Sequence, residues 1–163
     1  MVGTNCQLEI RRVGPMDADA LARLFAVLKT GGLEEVFHPH ALTEEAARER
    51  ANYRGRDLYV LLCEGKRALG YGMLRGWDDG HDVPSLGIAI HPDAQGQGLG
   101  RLLMDFLRVS AERHGANKIR LRVRSGNRRA ISLYKSLGYQ MVPEEASPYL
   151  VGFLTLGSRV ERK

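Results

Sequence analysis

The sequence has few cysteines and no long apolar run, and each shortage removes a class of protein. Its two cysteines, Cys6 and Cys63, are too few for a disulfide scaffold and lack the spacing of metal ligands, so no metal site is expected. No stretch of about 18 apolar residues occurs, so no membrane-spanning segment is expected. Residues Met1 to Ile10 lack the basic-then-apolar layout of a secretory leader, and Gly3 does not directly follow the initiator Met. No repeat, low-complexity tract or linker interrupts the 163 residues. A single domain over 1–163 and a cytoplasmic location are the expectations.

Glycine and positive charge are abundant. The 19 glycines make up about 12% of the chain against a typical ~7%. Lys and Arg number 24 against 19 Asp and Glu, a net +5, with a sequence pI near 9.5. With 44% hydrophobic and 26% charged residues, the composition is that of a globular chain able to build a core without staples. The charge alone is compatible with nucleic acid, anionic lipid or a phosphorylated ligand. It is also uneven: residues 1–95 carry 11 basic and 14 acidic side chains, whereas residues 96–163 carry 13 and 5.

Periodicity organises the chain. Leu8 to Val13 alternates as a strand, and Pro15 and Asp17 open a helix with Ala20, Leu21, Leu24, Phe25 and Leu28 at helical spacing, stopped by Gly31-Gly32. Thr43 reads as the N-cap of a shorter helix with Glu44 and Glu45 in its first turn. Leu58–Cys63 and Ala68–Leu74 form a hairpin about Gly65-Lys66, broken by Trp77 to Gly80. Leu86–Ile90 is apolar enough to be central and buried on both faces. Gly98 to His114 is a helix with Leu99, Leu102, Leu103, Phe106 and Leu107 as its apolar stripe. Ile119, Leu121 and Val123 alternate with Lys118, Arg120, Arg122 and Arg124, a strand with one apolar and one basic face. Asn127 to Leu137 is a short helix ended by Gly138, and Tyr139–Val142 and Tyr149–Leu156 are closing strands. Hairpins mixed with crossovers predict an α/β (α+β) fold with a mixed sheet covered by helices.

The segment Ser85 to Arg101 carries the chemistry. A buried strand runs into Gln95-Gly96-Gln97-Gly98-Leu99-Gly100 and then a helix, so glycines that let the backbone turn tightly sit beside unpaired N–H groups at a positive dipole end. Arg101 in the first turn opposes that dipole, as an anion there would justify. The spacing G-x-G-x-G differs from the dinucleotide fingerprint, and no acidic residue follows the next strand to hold a ribose. No Gly-Lys-Ser/Thr is present either, which argues against NAD and ATP.

This loop, after a central strand, resembles the [Arg/Gln]-x-x-Gly-x-[Gly/Ala] acetyl-CoA loop of the GNAT-type N-acetyltransferase superfamily. Downstream, Asn127, Ala130-Ile131, Leu133-Tyr134 and Gly138-Tyr139 match the second motif of that family. The resemblance runs from about Leu58 to Val142 and implies a mixed, mostly antiparallel, splayed sheet of about seven strands covered by about four helices. It further implies that Ile88, Ala89 and Ile90 offer backbone groups to a pantetheine arm, that Gln95, Gly96, Gln97, Gly98, Leu99, Gly100 and Arg101 hold the pyrophosphate, and that Asn127 bonds the pantetheine. Tyr134 would face the sulfur, and as a hydroxyl with a pKa near 10 it stays protonated and can donate to a leaving thiolate.

Many members of that family carry a Glu near the start of the fourth strand, where this chain has Ser85. The base that takes the amine's proton is then sought among Asp78, Asp79, His81 and Asp82, or Glu34, Glu35, His38 and His40; a water chain or an already neutral amine removes the need for one. On the acceptor side, expected to be mildly acidic as suits an incoming amine, the notable residues are Phe37, His38, His40, Trp77, His81 and Tyr149. The resemblance implies transfer of an acetyl group from acetyl-CoA to a primary amine of a small molecule such as an amino sugar, amino acid or polyamine, by a monomer or homodimer with neither membrane nor nucleic-acid partner. The alternatives are a protein N-terminus or lysine, since Asn127 to Tyr139 also looks like ribosomal-protein acetyltransferases, and a silent acetyl-CoA sensor. A nucleic-acid module using Arg120, Arg122, Arg124, Arg128 and Arg129 is a further one, weakened by the lack of interleaved aromatics.

Overall fold

The computed structural model describes residues 7–32 and 39–157; Cys6, Glu34, Glu35, Phe37 and His38 lie outside the described residues. The elements follow in the order β1 (Leu8–Arg12), α1 (Ala18–Thr30), α2 (Glu44–Ala51), β2 (Leu58–Glu64), β3 (Arg67–Arg75), β4 (Ser85–Ile90), α3 (Leu99–Arg113), β5 (Lys118–Arg124), α4 (Arg128–Ser136), β6 (Gln140–Pro143) and β7 (Tyr149–Thr155). One seven-stranded sheet has the order β1-β2-β3-β4-β5-β7-β6. Every neighbouring pair is antiparallel except β4 and β5, which are parallel. Among the described residues this is the mixed sheet covered by helices that the sequence pattern predicts, mostly antiparallel and with four α-helices as the family resemblance implies. None of the described helices is long and apolar enough to cross a membrane.

Strand alternation sorts the side chains into two cores. In β2, Leu58, Val60 and Leu62 enter the core under α3 and α4, while Tyr59, Leu61 and Cys63 enter the core under α1 and α2. Thr43 caps α2 as expected, its side chain accepting from the Ala46 amide at 3.1 Å. Helix α3 lies close on β3 because Gly72 leaves room: a Cβ there would meet Leu107 at 3.0 Å and Leu103 at 3.2 Å.

Two expectations need correction. The buried stripe of α3 is Leu99, Leu103, Met104, Leu107 and Ala111, whereas Leu102 and Phe106 are 43% and 37% exposed. The sheet meets α3 along an i, i+4 row, which leaves residues three positions on facing water. Strand β4 is central, yet Ile88 and Ile90 are only half-buried, because β4 and β5 share a single paired position, Ser85 with Arg120, and then part.

Candidate active site

The parting of β4 from β5 opens a cavity of about 980 Å³ lined from both sheet faces. The Arg120 amide donates to the Pro84 carbonyl at 3.0 Å, so even-numbered residues of β4 turn their backbone groups toward β5. Past the last shared position, the N–H and C=O of Ile88 therefore face the gap. Asn127 and Tyr134 border the same cavity.

Beyond β4, a short 3-10 turn, Pro92–Ala94, leads into the glycine loop. Gly96 and Gly98 both have left-handed backbones, φ +76 and +82, and Gly98 is the N-cap of α3. This conformation, open to glycine and strained for other residues, turns the chain so that the first N–H groups of a 15-residue helix point outward. Nothing lies within 4 Å of where a Gly98 Cβ would be. The left-handed glycines, the free N–H groups and the empty space beside them fit the pyrophosphate of a coenzyme A. Arg129, which the sequence offers only to the nucleic-acid alternative, also lies here. Arg129 lies 3.4 Å from a Cβ built on Gly96 and donates to the Gln95 side chain at 3.3 Å, bringing a cation to the cradle. Its only signal was a basic first turn on α4 where acids are the rule. Arg101 instead donates to Ser136 Oγ at 2.7 Å, tying α3 to α4.

Asn127 is the N-cap of α4, its side-chain carbonyl accepting from the Ala130 amide at 3.2 Å, which leaves its NH₂ uncommitted to that cap. Tyr134 is 9% exposed, and burial pushes its hydroxyl up to about 12, so it holds its proton across the physiological range.

The acceptor side differs from expectation in three respects. Trp77 is 7% exposed and stacks on His114 with ring centroids 4.7 Å apart, a core residue away from the cavity. His40 is half-buried between Phe25 and Tyr71. Its Nδ1 lies 2.7 Å from the Ala41 carbonyl, which can only accept, so Nε2 accepts from Tyr71 at 2.9 Å. Burial holds this imidazole below its usual value, as befits a packed neutral histidine. Finally, the cavity is lined not by acids alone but by Arg75, Lys118, Arg120 and Arg122 together with Asp79, His81 and Asp82. Of the proposed bases, Asp78 is committed to the Arg56 amide at 2.8 Å and the Tyr53 hydroxyl, whereas Asp79, His81 and Asp82 border the cavity, as does Tyr149.

The turn carrying those groups is held by a residue the sequence did not single out. Asp57 is 6% exposed, and its Oδ1 accepts from the amides of Gly76, Trp77 and Asp78 at 2.9, 2.9 and 3.3 Å. Removing a buried carboxylate strands three donors, so Asp57→Ala is expected to cost about 2–4 kcal/mol, read as a lower midpoint in denaturant unfolding. A loss under about 0.5 kcal/mol contradicts this account.

Residues 26–139 match the model of the acetyltransferase (GNAT) family, well over half the chain. The chain belongs to the GNAT family. Among relatives of this GNAT chain, the [ribosomal protein bS18]-alanine N-acetyltransferase of Escherichia coli K12 is 48% identical over 52 residues. That match covers 32% of this chain and 35% of the relative's length. The thialysine N-epsilon-acetyltransferase of Mus musculus is 27% identical over 148 residues, 83% of this chain and 85% of that protein. The structure of a ribosomal L7/L12 alpha-N-protein acetyltransferase in complex with coenzyme A superposes with a TM-score of 0.77 at 15% identity, covering 94% of this chain and 96% of that one, a likeness of GNAT fold.

Proposed function

We propose that the chain is an acetyl-CoA-dependent N-acetyltransferase that joins an acetyl group directly to a primary amine, with a protein α-amine as the leading acceptor. The observation that carries the transferase reading is the gap between β4 and β5, which has Tyr134 at its edge and leads along β4 to the left-handed glycine pair at the head of α3. The relative from Escherichia coli supports the α-amine acceptor. A small amine is the second reading, favoured by the match over most of the chain to the mouse enzyme.

When bound, acetyl-CoA supplies an activated thioester. The chain's residues do the rest. The N–H groups at the start of α3, with Arg129, hold the phosphates; Ile88 offers an N–H and a C=O to an extended arm as a neighbouring strand would. With acetyl-CoA bound, Tyr134 would give its proton to the sulfur as the C–S bond breaks and the C–N bond forms. The proton lost by nitrogen returns to the phenolate through water, which restores the site.

Titration of acetyl-CoA by calorimetry, followed by a thiol-release screen against amino acids, polyamines, amino sugars and short peptides, tests this reading. Saturable binding and acceptor-dependent thiol release are the expected results. Absence of saturable binding sinks the transferase reading, and binding without release to any amine makes the chain a sensor.

A further inference from the structure

The charge in the cavity is unsuited to an amine taken alone. Arg75 on β3, Ser85 on β4 and Arg120 on β5 pair in one row across the sheet, with Phe153 next in line on β7. Cross-strand partners share a face, and all four residues line the cavity. Ser85, standing where the family resemblance leads one to look for a carboxylate, is therefore flanked in the sheet by two arginines.

These two cations differ from the others nearby. Arg122 is held by Glu144 through two bonds of 2.9 and 2.7 Å and lies 3.7 Å over the Tyr149 ring. Lys118 lies 5.7 Å over Phe153. Arg75 donates to the Pro39 carbonyl and bears on the Tyr59 hydroxyl, but has no carboxylate partner among the described residues. Arg120 makes neither a side-chain hydrogen bond nor an ion pair within 4 Å among the described residues; it feels the charge of Glu144, whose two oxygens are already bonded to Arg122. Both arginines are half-buried. Desolvating a guanidinium whose donors bond no carboxylate is costly, and its planar fork of donors matches a carboxylate. The cavity's own carboxylates, Asp79 and Asp82, sit on the exposed turn at its rim beside His81.

We propose that Arg75 and Arg120 form the anion-recognition pair of the acceptor site, and that the acceptor carries a carboxylate close to its reacting amine. This rests on the acetyltransferase reading and narrows its substrate. The carboxylate comes either from the α-carboxyl of a free amino acid or from an acidic side chain near the start of a peptide. Arg75 and Arg120 favour the neutral, nucleophilic amine over an ammonium, while Asp79 and Asp82 at the rim and Glu144, already bonded to Arg122, pull the other way.

The test compares acceptors that differ only in this group. Alanine and glutamate are assayed against their α-carboxamides, and C-terminally amidated peptides beginning Ala-Asp against those beginning Ala-Asn and Ala-Lys. The acidic member of at least one arm is expected to have a kcat/KM about 10- to 100-fold higher, the worth of a charge-assisted hydrogen bond, and the arm that responds identifies the source. Arg120→Gln should bring that ratio within about 3-fold and Arg120→Lys should keep part of it, both with acetyl-CoA affinity unchanged, which also reports that each variant has folded. Equal use of acidic and neutral members in every arm, a preference for Ala-Lys, or a preference that survives Arg120→Gln overturns the proposal. Should no pair turn over, calorimetric titration of the same pairs into the coenzyme A complex makes the same comparison, and no preference there overturns it. Failure of acetyl-CoA to bind at all removes the transferase reading beneath it; acetyl-CoA binding with no carboxylate preference removes this proposal alone.

Discussion

Gly98→Trp is expected to abolish acetyl-CoA binding in a protein that still folds. Gly98 has φ +82 and caps α3, and nothing lies within 4 Å of where its Cβ would be. The space is open, so the substituted side chain meets no protein atom; the cost to the fold is the left-handed backbone, about 1–2 kcal/mol. For a domain of this length that lowers the melting temperature by roughly 3–8 °C. The ligand loses far more. An indole in the cradle occupies the place where a pyrophosphate meets the first N–H groups of the helix, and affinity should fall by about 100-fold or more, beyond calorimetric detection. Gly98→Ala separates the two effects. It carries the same backbone strain but little bulk, so it should match the loss in melting temperature while keeping measurable affinity. If Gly98→Trp binds acetyl-CoA as the parent does, the loop is not the phosphate seat.

Tyr134→Phe should lower kcat by about 100-fold and leave acetyl-CoA affinity within about 3-fold of the parent, the usual worth of a positioned proton donor. The ring packs in the core under α3 and α4, 6.0 Å from Tyr139 between centroids, and phenylalanine fills the same volume. Stability is therefore nearly unchanged, and the missing atom is the one at the cavity. The hydroxyl is pushed up to about 12 by burial, so the parent's kcat should show no alkaline decline from this group below about pH 11. Steady-state thiol release at saturating acetyl-CoA between pH 6 and 10 measures both. An unchanged kcat removes Tyr134 from the chemistry.

Features whose physics is local were legible in the sequence. The hairpin from β2 to β3, the cap at Thr43, the helix starting at the glycine loop and the alternation along β5 each depend on neighbours a few residues apart, and each lies where periodicity and turn chemistry put it. Features decided by tertiary register were not. Leu102 and Phe106 look as apolar as Leu103 and Leu107, and only the line along which α3 meets the sheet turns them outward. Trp77 is a lone ring among polar residues and His40 ends a short aromatic connector, patterns that fit the surface as well as a core; Asp57 and the Phe25–Tyr71 pair draw them inward. The same holds for charge. Arg75 and Arg120 are far apart in the chain and flank Ser85 only through strand pairing, so dividing the charge between chain halves assigned an acidic acceptor side to what is a mixed, largely cationic cavity.

The single rung between β4 and β5 has a thermodynamic consequence. It divides the sheet into a four-stranded leaf, β1 to β4, and a three-stranded leaf, β5, β7 and β6, held together by that one pairing and by the helices across them. A ligand laid into the gap satisfies edges that both leaves otherwise present to water, so it acts as mortar as well as reactant. Stability then rises with the logarithm of its free concentration, by about 2.7 kcal/mol at a hundred times Kd. On that footing, the melting temperature of the chain rises with the concentration of coenzyme A beside it.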